Sequence, residues 1–357
     1  MKKSIHIQSL RGVSVLLVVF FHMGFQTFRN GWIGVDFFFV ISGFLMWHLY
    51  AEKLHGSSII AFYRKRFKRL LPALSISILL TGLGFIIRLS PPPRDSLINE
   101  LFAASLGLSN IYYWLVDQHS SNSNLRPLIT LWSISLELQF YVIFPLIVLF
   151  VKGSRNRLFF LITLFLLAFA ALGYYSFETK IYTLPGKLLE FFLGMLAATL
   201  LKKNEQSKYS FQVVRILFAV FILFSLFITL NDKNKMIWQV LGAAISYLYI
   251  VFGFHCLNTN SLDRFLAKIG DYSYSIYLLH FPLFVYYGYV ENSGNPVSLE
   301  TPGDSIIYLA TLMISSLIMK KLIEDSNWFK NNYLRLFIAT LFVTGTLFFL
   351  KVSILFF

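Results

Sequence analysis

Long unbroken apolar runs dominate this chain, and period-two alternation is scarce. Phe159–Ala171 and Leu217–Leu230 are examples. A membrane β-strand would show apolar and polar residues alternating over ~10 positions. A membrane helix needs ~20 mostly apolar residues in a row. The pattern predicts helical spans at roughly 8–28, 31–50, 70–89, 136–152, 157–175, 184–201, 212–230, 237–257, 270–290, 304–323 and 334–356. The segment 97–115 is a poor full span, because it holds Asn99, Glu100, Ser105, Ser109 and Asn110. The fold class this predicts is an all-α integral membrane protein, a polytopic bundle of about 10–11 transmembrane helices plus a re-entrant segment.

Charge decides how 97–115 is read. With the N-terminus inside and 97–115 not crossing, 22 of the 31 Lys and Arg residues fall on the inner side. With it crossing, the split is 15 inside and 16 outside. Basic residues favour the cytoplasmic side, so the first arrangement is expected. A non-crossing backbone at membrane depth needs protein or a water-filled cavity around it. The expected location is the bacterial inner (cytoplasmic) membrane, multi-pass, with a cytoplasmic N-terminus. Met1-Lys2-Lys3 resembles a signal-peptide start, but the run that follows contains Arg11 and His22 and no Ala-x-Ala-like site, so it reads as a retained first helix. The polar break at Glu324–Asn332 divides a domain at 1–326 from an additional C-terminal transmembrane helix at 327–357.

Composition agrees: 57% of the residues are hydrophobic and 13% charged, about half the charge of a soluble domain. The net charge of +14 does not point to nucleic acid, because the basic residues sit at span ends. The single cysteine, Cys256, excludes an intrachain disulfide and a multi-cysteine metal site.

Ionisable residues inside spans are costly and are functional candidates. Arg11 and His22 lie eleven residues apart in the first span, on one helical face and ~16 Å apart. They read either as a snorkelling arginine with a hydrogen-bonded core histidine, or as a donor-binding cation with a general base. Asp36, at the outer end of the second span, either orients His22 or caps the span. The loop Phe62–Pro72 carries Arg64, Lys65, Arg66, Lys68 and Arg69. It reads either as a topology signal touching anionic lipid or as an anion clamp, since arginine forks match phosphate oxygens. Glu137 shares a face with Ser133 and Tyr141 at four-residue spacing. Glu190 is a comparable carboxylate, and His280 lies mid-span ahead of Pro282. The clustered arginines thus lie inside, and His22, Asp36 and Glu137 lie toward the outside.

Six stretches, in order, resemble acyltransferase family 3, the integral membrane enzymes that O-acetylate bacterial envelope polysaccharides. They are LRGVSVLLVVFFH, GVDFFFVISGFL, RFKRLLP, LWSISLELQFY, LPGKLLEFFLG and YSYSIYLLHFP, within about residues 5–325. The resemblance implies acyl-CoA (acetyl-CoA) as donor, an extracytoplasmic glycan or glycolipid such as O-antigen or exopolysaccharide as acceptor, and no metal. It implies His22 as the catalytic histidine and Arg11, Arg66 and Arg69 as donor-site residues; in the mechanism expected from these residues, Asp36 or Glu137 orients the imidazole. The chain departs from the family pattern at Thr130, Leu138 and Ser326. Some relatives carry a C-terminal esterase-like domain that is not expected here, so transfer is expected to be completed alone or with a partner. A transporter or flippase for an anionic or lipid-linked sugar is the alternative. That class often carries paired, interrupted helices in two matching halves, and no such pairing is visible.

Overall fold

The computed structural model describes residues 4–87, 93–119, 126–152, 162–164, 166, 181–201, 208–256, 259–291 and 302–356. The protein is an all-α polytopic membrane protein, with no strand among the described residues. Its helices are α1 (Ile5–His22), α2 (Ile33–Tyr50), α3 (Ile59–Ile86), α4 (Pro93–Ser105), α5 (Ser109–His119), α6 (Leu131–Lys152) and α7 (Leu184–Leu200). They continue as α8 (Lys208–Phe227), α9 (Asp232–Gly253), α10 (Ser261–Glu291), α11 (Pro302–Met319), α12 (Asn327–Asn331) and α13 (Tyr333–Phe356). Among the described residues eight helices are long and apolar enough to cross a membrane. The α7 and α10 helices cover the predicted spans 184–201 and 270–290. The predicted span 157–175 and the polar run His119–Asn124 lie largely outside the described residues.

Two boundaries differ from the sequence reading. The first helix stops at His22 rather than near residue 28, because Gly24 turns the chain with φ +79°. The basic run 64–69 is not a loop. It lies inside α3, which starts at Ile59 and runs through Pro72 without a break. A basic helical turn can extend past the apolar core, since long cationic side chains reach back to water.

The chain forms two compact units, Met1–Ile59 with Val142–Ser273, and Ile60–Tyr141 with Tyr274–Phe357. In the first unit α2 is the central helix, and small residues set its contacts. A methyl group on Gly34 would stand 2.3 Å from the Ser14 carbonyl oxygen, and one on Gly31 2.2 Å from that of Leu17, so α1 and α2 run antiparallel. A methyl on Gly43 would stand 2.0 Å from the Phe191 carbonyl oxygen, and one on Gly194 2.0 Å from that of Val40. Such backbone approach is what small residues provide between membrane helices. Asp36 meets Lys187 further along the same pair, so α2 and α7 run parallel. The predicted topology requires this, since it sends spans 31–50 and 184–201 the same way. With the other predicted spans kept, a single crossing by 97–115 would make them antiparallel.

In the second unit, α4 and α5 replace the ambiguous segment. Their 13 and 11 residues give rods of about 20 and 16 Å, too short to span. They meet at Gly107, whose φ of +69° makes the turn. The polar residues of α4 find partners on α13. Lys351 Nζ donates to Asn99 Oδ1 at 2.9 Å and to the Asp95 carbonyl at 3.1 Å. Ser105 and Thr344 share a hydrogen bond of 2.9 Å, and Phe102 stacks on Phe348. The C-terminal helix therefore answers the polarity that made 97–115 unfit to face lipid.

Candidate active site

Arg11, His22 and Asp36 belong to the first unit, and Arg66, Arg69 and Glu137 to the second. Each set is described within its own unit.

Arg11 and His22 lie on the one uninterrupted helix α1, and His22 is its last residue. The His22 Nδ1 atom is 2.9 Å from the Val18 carbonyl oxygen. A carbonyl only accepts, so Nδ1 carries the proton and Nε2 is the basic nitrogen. A backbone bond of this kind fixes tautomer and ring direction together. Arg11 is half-buried, and its guanidinium reaches the Gln8 side-chain oxygen at 3.5 Å.

Asp36 lies in the first turn of α2, and its side chain is engaged by Lys187. Its Oδ1 accepts from Lys187 Nζ at 2.6 Å, with both side chains at 2% exposure or less. Lys187 Nζ also stands 3.6 Å from Glu190 Oε1, and Gln239 Nε2 of α9 donates to that same Glu190 oxygen. Two carboxylates, one ammonium and one amide thus lock α2, α7 and α9 together inside the first unit. Sequence reasoning passed over Lys187, because a lysine in the first turn of a span reads as a flanking cation. A lysine followed by a carboxylate three positions on was the signal that could have found it.

In the second unit, α3 and α6 bring part of the predicted set together. Arg66 is buried, at 5% exposure, and its guanidinium carbon lies 5.9 Å from the centre of the Tyr141 ring. The geometry is that of a cation–π contact, which desolvation strengthens. The Tyr141 hydroxyl donates to Glu137 one helical turn earlier, as their four-residue spacing predicts. Arg69 is exposed and lies within electrostatic range of Tyr141 and of Tyr274. Glu137 is therefore coupled through Tyr141 to the arginine turn rather than set far from it. The axial separation read from sequence came from starting the third helix eleven residues late.

The rest of the Glu137 face is otherwise engaged. Ser133 shares a 2.6 Å hydrogen bond with Tyr277, and both reach the Thr130 carbonyl. His280 is fully buried, with Nδ1 donating to the Tyr277 carbonyl at 2.7 Å. Among the described residues no group of three or more His, Cys, Asp or Glu stands together to hold a metal ion.

Residues 5–321 match a family described as an acyltransferase domain. The O-acetyltransferase OatA of Staphylococcus aureus strain NCTC 8325 is 29% identical over 311 residues, covering 78% of this chain and 50% of that protein. A second S. aureus protein, from strain MRSA252 and named "Putative O-acetyltransferase SAR0937", is 29% identical over 378 aligned residues, covering 96% of this chain and 61% of its own length. The chain thus spans about half to three-fifths of the length of these curated relatives. No solved structure matches. With the match running over nearly all of the chain, this protein belongs to that acyltransferase family.

Proposed function

We propose that this enzyme moves an acyl group, acetyl in the first instance, from cytoplasmic acyl-CoA to a hydroxyl of an extracytoplasmic glycan. The observation that carries the reading is the family match across residues 5–321, with relatives named as O-acetyltransferases. The clustering of Arg66 and Arg69 with Tyr141 and Glu137 supports it.

In this reading His22 Nε2 is the general base. It takes the proton of the acceptor hydroxyl as that oxygen attacks the thioester carbonyl. The C–O bond forms, the C–S bond breaks, and the imidazolium returns the proton to the CoA thiolate. General-base assistance of this kind is worth about 10²–10⁴-fold in rate. Within the second unit Arg66 and Arg69 bind the donor phosphates, with Arg69 at the surface and Arg66 within, and within the first unit Arg11 is a donor-site cation on the His22 helix. Glu137 holds the Tyr141 hydroxyl, so the ring stays beneath the Arg66 guanidinium and fixes its direction. Asp36 is a positioning residue. Its pairing with Lys187 holds the α2–α7 crossing against which α1, carrying His22, is packed.

Titration of purified protein in neutral detergent with acetyl-CoA tests the donor site. A charge-assisted hydrogen bond is worth about 1.5–3 kcal/mol, so Arg66→Ala and Arg69→Ala should each weaken the Kd by roughly tenfold or more. Lysine at either position should restore part of the loss, since it lacks the fork. Equal affinities in all variants would leave these arginines as topology signals.

A further inference from the structure

In the second unit, α3, α10 and α11 enclose a groove of about 430 Å³. Three local features hold it open. Gly84 presents no side chain to the Tyr286 ring. Pro282 interrupts the bonding of α10, and the Leu278 carbonyl, four residues earlier, accepts instead from the Ser77 hydroxyl at 3.2 Å. Beyond α11 the chain makes a π turn, Lys320–Glu324, which sets Leu322 and Ile323 on the groove wall. Such turns are frequent at functional sites.

The walls offer an occupant almost nothing polar. The serine and threonine hydroxyls that line it each bond a helix carbonyl: Ser77 to Leu278, Thr81 to Ser77 at 2.8 Å, and Ser315 to Thr311 at 2.6 Å. Leu80, Ile318 and Leu322 on its edges are 54%, 52% and 62% exposed. Both α3 and the stretch Pro302–Glu324 are candidate spans, and only 22% of the latter's apolar window is buried. The groove therefore opens sideways at hydrocarbon depth. The turn that closes the span, Lys320–Glu324, holds two lysines and one carboxylate, and Asp325 follows it. Lys320 is bridged to Glu324 at 2.9 Å and to Asp325 at 3.5 Å, while Lys321, next to Leu322, is exposed.

We infer that this groove is a binding site for an anionic membrane phospholipid. One hydrocarbon chain lies along Leu80, Leu283 and Ile318, and the phosphate sits at the level of Lys321. The volume holds on the order of 14 groups of water or methylene size, enough for one chain. Basic residues at a membrane surface attract anionic headgroups, and basic pockets between membrane helices bind them. The site is independent of the acyl-transfer reading and uses none of its residues.

The test uses the whole protein reconstituted in phosphatidylcholine vesicles. Traces of phosphatidylglycerol or phosphatidylcholine carrying a photoreactive group in one chain are added, and the labelled peptides are mapped. The wild type should be labelled within residues 76–86, 279–286 and 315–323, with phosphatidylglycerol favoured about fivefold. Lys321→Gln should erase that preference and keep the chain label. Ser315→Phe should fill the groove and remove the chain label, with thermal unfolding checking the fold. Equal labelling of the wild type by both lipids would overturn the anionic assignment. Label spread as strongly over Leu146 and Phe342 as over the groove would overturn the site itself.

Discussion

Lys187 Nζ lies 2.6 Å from Asp36 Oδ1, and the two residues, 151 positions apart, are both almost fully shielded from solvent. The ammonium also faces Glu190, so two carboxylates flank it. Removing one partner of a buried pair leaves an uncompensated charge, at a cost of about 3–5 kcal/mol. Lys187→Met should therefore lower the thermal midpoint sharply. Lys187→Met with Asp36→Asn should lose less than Lys187→Met alone. Unfolding in detergent, followed by tryptophan fluorescence, reads both, and equal losses would dissolve the pairing.

Packing at the same helix pair makes a second prediction. A methyl group at Gly43 would fall 2.0 Å from the Phe191 carbonyl oxygen, whereas one at Gly84 would meet only the Tyr286 ring at 3.6 Å. Gly43→Ala should cost about 1–3 kcal/mol, as overpacking does, and Gly84→Ala should be close to neutral. Thermal melts of both proteins side by side separate them.

Glu100, on α4 and outside the candidate spans, carries a pH dependence. Burial raises its carboxyl from 4.5 to about 8, partly offset by the hydrogen bond it accepts from the Leu128 N–H at 3.2 Å. The folded protein then keeps a proton that the unfolded chain releases above about 4.5. Stability contributed by the neutral acid is present below that value and is lost as pH rises toward about 8. Glu100→Gln retains an acceptor for Leu128. Its midpoint should match wild type near pH 4 and exceed it at pH 8, by roughly 2–4 °C for each kcal/mol recovered. A midpoint difference that does not change with pH would contradict this.

The helical class, most of the spans and the non-crossing of 97–115 were legible in the sequence, because hydropathy and charge asymmetry are local quantities. The start of α3 was not. Arg64 to Arg69 have loop-like composition, and only the fold shows them as a helical turn with Arg66 turned inward. The Glu137–Tyr141 bond was visible as a four-residue spacing. The partner of Asp36 was not, since no local pattern joins residues so far apart in sequence. The role of α13 was hidden for the same reason: Lys351 meets Asn99 across 252 positions.

The central claim is that His22 performs acyl transfer to an envelope hydroxyl. The most direct measurement is the base-labile acetyl-ester content of envelope glycans from three sets of cells, making the wild-type protein, the His22→Ala variant or neither. Immunoblotting would hold membrane levels equal. The account predicts acetyl esters in the wild-type cells and a loss of about 10²–10⁴-fold in transfer rate for His22→Ala, which brings those cells to the level of cells lacking the protein. Ester content with His22→Ala equal to wild type, or no difference among the three, would contradict it.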